Sequence, residues 1–135
     1  MTMIAFLAAS SALAMQAAPV PEPGSRPDAP AIASLDQLPI EQAAAPRCAL
    51  AFAMAIRWRN AGMPAGDAHG DLDAGTAREF FVRALARLID DTGMTSAQVA
   101  SLMQAEVARL DNEAGAERVA AMMPACRVMK EAAGL

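Results

Sequence analysis

Apolar positions recur at helical spacing along most of the chain, and no stretch of any length alternates at strand spacing. The first apolar run stands apart. Met1 to Ala18 contains no charged side chain, and Met3 to Ala14 is almost wholly apolar. Farther on, Ser34-Leu35-Asp36-Gln37 has the Ser-x-x-Gln form of a helix start. Pro39 suits a first helical turn, so a short helix to about Ala45 is expected. Pro46 lacks the donor that a continuous helix needs and is expected to interrupt or kink it. From Pro46 to Asn60 the pattern is apolar on nearly every side. Cys48, Phe52 and Ala55 share one stripe, and Leu50, Met54 and Trp58 share another. Such a helix belongs in the middle of a bundle. Asn60, Gly62 and Pro64 end it.

Gly66 to Asp73 reads as a loop. Asp73 or Thr76 can cap the next helix, and Thr76-Ala77-Arg78-Glu79 repeats the capping-box form. Phe81, Ala84, Leu85 and Leu88 are expected inward, with Glu79, Arg83, Arg87 and Asp90 on the outer stripe. Gly93 suits a left-handed cap. Thr95-Ser96-Ala97-Gln98 is a further capping box, with Met94 and Val99 placed as a hydrophobic staple. That helix continues through Leu102, Met103 and Leu110, and Asp111 to Gly115 breaks or bends it. A final helix carries Val119, Met122, Met123, Cys126 and Met129 on one face, and Pro124 is expected to kink or restart it. The sum is an all-α protein: a small bundle of about four main helices over residues 34–135.

The apolar run at the start is too short to span a bilayer comfortably, which takes about 20 apolar residues. It fits a cleaved export signal over residues 1–18. Ala12-Leu13-Ala14 supplies the small-x-small cleavage pattern, and Gln16-Ala17-Ala18 a weaker one. No Lys or Arg precedes the run, so only the terminal amine provides positive charge there. Pro19 to Pro30 is rich in proline, and residues 19–33 read as a solvated linker that cannot build a core. The expected location is periplasmic or extracellular, with no stable membrane span once the signal is removed.

Composition sharpens this picture. Aromatic residues make up 4% of the chain and Tyr is absent, while Ala, Leu, Met and Arg abound, which is a helical composition. A net charge of −4 argues against nucleic acid, which calls for a basic stripe.

Export decides the chemistry of Cys48 and Cys126. In an oxidising compartment two distant cysteines are expected to pair and staple the ends of the bundle. Each stands two residues after a proline, Pro46 or Pro124, and a first helical turn would favour a thiolate there. A redox pair, however, usually has the Cys-x-x-Cys spacing on a thioredoxin-type sheet pattern, and neither is present. Met122, Cys126 and Met129 share a helical face and offer soft ligands for Cu(I). Met is equally a filler of apolar cores, and a disulfide at Cys126 would remove the best ligand.

Asp67, His69, Asp71 and Asp73 alternate in one loop. The spacing suggests a calcium loop, but Leu72 stands where glycine is needed and Arg78 where glutamate is needed, so a solvated, cap-forming loop is expected. Glu106 falls within the stripe of Val99, Met103 and Leu110. The favoured expectation is that it reaches solvent at a bundle edge; if buried it needs a partner, and Arg59 is the candidate. With one His, no nucleophile elbow and no phosphate loop, neither an enzyme nor a cofactor is expected.

The plan resembles that of the acid-stress chaperones of the periplasm in its export signal, its few aromatics and its one pair, Cys48 and Cys126. The expected function is a non-enzymatic interaction or chaperone-like module acting on a protein partner. Its apolar faces would be uncovered under some condition, such as protonation of Glu106. The alternative is a binding protein for a small apolar ligand or soft metal held in the Met-rich interior.

Overall fold

The computed structural model describes residues 31–135. The expected signal (1–18) and residues 19–30 of the expected linker lie outside the described residues. A 3-10 turn at Leu35–Gln37 leads into five α-helices: α1 (Ile40–Asn60), α2 (Pro64–Asp67), α3 (Ala74–Thr92), α4 (Ser96–Leu110) and α5 (Glu113–Ala132). There is no strand among the described residues. The fold of the described residues is all-α, with four long helices and one short one.

The Ser34 box forms, but it closes a 3-10 turn and not a helix. The Ser34 hydroxyl accepts from the Asp36 N–H, and Gln37 reaches back to the Ser34 N–H. The chain is extended at Leu38 and Pro39, and α1 starts at Ile40. Contrary to expectation, α1 runs through Pro46 without interruption. Pro46 and its neighbours Ala43, Cys48 and Ala49 are all buried, so packing offsets the lost hydrogen bond. The carbonyl deprived of its donor belongs to Gln42, a half-buried residue within reach of solvent.

The middle position expected for this helix is found. α1 packs against the 3-10 turn and against all four other helices. Leu50, Ala51, Phe52, Met54, Ala55 and Trp58 are buried around its circumference. Its stripe of alanines lets neighbouring helices approach closely, which suits a core with few aromatics.

The inward face of α3 is Ala77, Phe80, Ala84 and Leu88. Phe81 and Leu85, expected inward, are only half-buried beside it. The face is turned because the Phe80 ring meets Phe52 of α1 edge to face, with centroids 5.8 Å apart and planes at 88°. Asp73 caps α3, accepting from the Thr76 N–H at 2.6 Å, so Thr76 lies inside the first turn and caps nothing. Gly93 closes α3 at φ 69°, where a side chain would be strained. The Thr95–Gln98 box opens α4 as expected. Asn112 caps α5, which neither breaks nor restarts at the exposed Pro124. Gly115, Val119, Met123 and Cys126 form its buried stripe, while Met122 and Met129 are half-buried at its margins.

Candidate functional site

Cys48 of α1 and Cys126 of α5 form a disulfide, with Cα atoms 5.1 Å apart and a sequence separation of 78. Both sulfur-bearing residues are buried, at 6% and 1% exposure, so the bond sits inside the core as a staple.

One turn away on each helix, before Cys48 and after Cys126, the packing opens. A groove of about 330 Å³ lies between the first half of α1, α3 and the end of α5. Its apolar surface comes from Ala44, Ala45 and Pro46 of α1, Phe80, Ala84 and Leu88 of α3, and Met129 of α5. The alanines create the space. A larger residue at 44, 45 or 84 would fill it.

The groove is rimmed by charge. Glu41 stands on the α1 wall; Arg83, Arg87 and Asp91 stand on the α3 wall. Arg83 pairs with Glu79 and donates to the Ala133 carbonyl at 3.3 Å, tying the end of α5 to α3. Arg87 makes a long contact to Asp91 at 3.4 Å, and its side chain is 77% exposed. Glu41 is exposed and enters none of the ion pairs among the described residues. The arrangement is an apolar trough with Glu41 on one lip and Arg83, Arg87 and Asp91 on the other.

The other expected site residues fall elsewhere. The expected Arg59–Glu106 pair does not form. Arg59 caps the loop after α2, donating to the Gly70 and Leu72 carbonyls at 3.2 and 3.1 Å and meeting Asp71 at 3.4 Å. Glu106 instead accepts from Arg109 at 2.6 Å and from the Leu35 N–H at 2.9 Å. The reason is chain path: the loop folds back over the end of α1, while the segment before α1 crosses α4.

His69 is buried in that loop at 8% exposure, and Arg127 of α5 donates to its carbonyl. Burial, and secondarily the Arg127 charge, hold the imidazole pKa below its ordinary value of 6.5. Asp67, His69 and Asp71 are not gathered into a site: no group of three such side chains able to hold a metal occurs among the described residues. Asp73 is held below the usual carboxylate value, first by the Thr76 backbone N–H, then by the Thr76 hydroxyl. The soft-ligand set also dissolves, since the Cys126 sulfur is taken by Cys48 and only the thioethers of Met122 and Met129 remain.

Sequence reasoning missed Arg127 and Lys130. Lys130 donates to the Thr76 hydroxyl at 2.9 Å and its ammonium lies 5.9 Å from the centre of the Phe52 ring. It also missed the groove, because three helices contribute to it and no single pattern shows it.

Comparison with protein-family models, with curated proteins and with solved structures returns no match. No described helix is long and apolar enough to cross a membrane.

Proposed function

We propose that this chain is an exported, non-enzymatic binding module whose α1–α3–α5 groove takes up an apolar segment of a partner protein, in the manner of a chaperone-like binder. The observation that carries the reading is the groove itself: an apolar floor, a charged rim and a frame fixed by the neighbouring disulfide. The disulfide also supports export, since such bonds persist outside reducing compartments. A volume of about 330 Å³ is at the low end for pockets that enclose small molecules, roughly 300–1,000 Å³. It suits one or two apolar side chains of a longer segment better than a ligand swallowed whole. The soft-metal alternative loses support with the Cys126 thiolate.

The test uses Ala45→Glu, which places a carboxylate on the groove wall at a half-buried position that tolerates a helix former. A naphthalene-sulfonate dye and a reduced, unfolded model protein are titrated against both forms. Wild type is expected to brighten the dye and to slow aggregation of the model protein, and the variant to lose both while melting as wild type. A variant that performs as wild type in both assays overturns the reading. Dye binding without any effect on the model protein favours the small-ligand alternative.

A further inference from the structure

We infer that the groove is self-complementary and that, with no partner present, its occupant is a second copy of this chain in a two-fold dimer. The inference rests on the groove being a docking site, as proposed above. Three observations point to a second copy. First, the groove has its own plug beside it. Ile40 is the most exposed large apolar residue described, at 75%, and it sits one helical turn before Ala44 on the same stripe of α1. The stripe therefore runs out of the trough onto a protruding side chain of a size an alanine-lined trough accepts.

Second, each lip carries a charge that can pair with the opposite lip of another copy. The α1 lip carries Glu41, which has no ion-pair partner among the described residues, and the α3 lip carries Arg87, exposed and only loosely held by Asp91. A two-fold axis that lays the α1 lip of one copy on the α3 lip of the other makes two Glu41–Arg87 pairs and seats each Ile40 over the other copy's groove. Isologous interfaces need this combination of both charges and of both knob and hole within one patch. Third, the rim has no excess of one sign, so a strongly basic or strongly acidic partner is not favoured over a mixed one. In the cell, self-association would keep the apolar floor covered until a better-fitting segment displaces the second copy.

The experiment is sedimentation equilibrium of protein expressed from the whole 135-residue sequence, over a wide concentration range and at low and high salt. A concentration-dependent dimer is expected, weakened by salt. Ile40→Asp changes a solvent-exposed side chain and is expected to leave the melting curve intact while abolishing the dimer. Glu41→Arg and Arg87→Glu are each expected to weaken the dimer by roughly tenfold or more, and the two together to restore most of it. Three results overturn the inference: a mass equal to one chain at every concentration, a dimer that Ile40→Asp leaves untouched, or charge reversals that add without rescue. The failures are separable. A monomer whose dye binding is still lost on Ala45→Glu removes the dimer and keeps the groove, whereas a monomer indifferent to Ala45→Glu removes both.

Discussion

Glu106 of α4 accepts the backbone N–H of Leu35 at 2.9 Å, across 71 residues of sequence, and so fastens the segment before α1 to the far side of the bundle. The same carboxylate holds Arg109, whose other nitrogen donates to the Ala33 carbonyl at 3.3 Å. From α1, Arg47 donates to the Leu35 carbonyl at 3.3 Å and to Asp36 at 2.7 Å. Leu35 itself is 1% exposed, so these polar contacts secure an apolar anchor. Glu106→Ala leaves the Leu35 N–H without its partner and frees Arg109. We expect it to cost about 1–3 kcal/mol in urea unfolding. Glu106→Gln keeps an acceptor for Leu35 but not the charge for Arg109, and should fall between. Equal losses for the two variants would show that the backbone contact contributes nothing.

Reduction of the Cys48–Cys126 bond should destabilise the fold strongly. The bond closes a loop spanning 78 residues of separation. In the chain-entropy picture this restrains the unfolded state by about 4–5 kcal/mol. Urea midpoints with and without reductant measure it, with the Cys48→Ala, Cys126→Ala double variant as control. Alkylation of the unreduced, denatured protein should find no free thiol.

The cysteine pairing, the Gly93 cap and the Thr95 box were legible because each depends on local chemistry or on compartment. The burial of α1 on most sides was legible from its composition alone. Pro46 was misread because its interruption is a local cost that burial of Ala43, Cys48 and Ala49 outweighs, and no local rule contains that burial. The α3 face was misread by one residue because Phe80 and Phe81 both fit a helical stripe, and only the partner ring of Phe52 selects between them. The partners of Arg59 and Glu106 depend on where two loops run, which helical periodicity does not encode. The groove is a place where three helices fail to meet, and a gap leaves no pattern in any one of them.

His69 predicts a pH step. Its folded-state pKa lies below the ordinary 6.5, so between those values the unfolded chain binds the proton more readily. Stability is therefore full above 6.5 and falls as the pH drops below it. Asp73 acts in a separate, lower window. Its folded pKa is depressed below 3.8, so its contribution is present above that value and lost as pH falls through the folded one. Urea midpoints followed from neutral to acid pH should show the upper step in wild type and lose it in His69→Gln. A His69→Gln profile that still bends below 6.5 would assign the step to another group.

Gly66 predicts a steric failure at the join of α1 and α2. A Cβ built there would lie 2.0 Å from the Arg59 backbone nitrogen and 2.4 Å from its Cα. Both are main-chain atoms of a packed helix and cannot swing aside. Gly66→Ala must therefore lift α2 away from α1, and the loop it leads into carries the Gly70 and Leu72 carbonyls that Arg59 holds. We expect a loss of about 1–3 kcal/mol, the usual cost of forcing atoms into a filled site. Gly62→Ala makes the contrast: its Cβ meets nothing within 4 Å, so only the strain of φ 69° opposes it. Hydrogen exchange separates the two mechanisms. In Gly66→Ala, the amides of the loop that follows α2 should exchange faster while those of α4 are unchanged. Uniform acceleration over the whole chain would mean that the contact acts on global stability and not on the docking of α2.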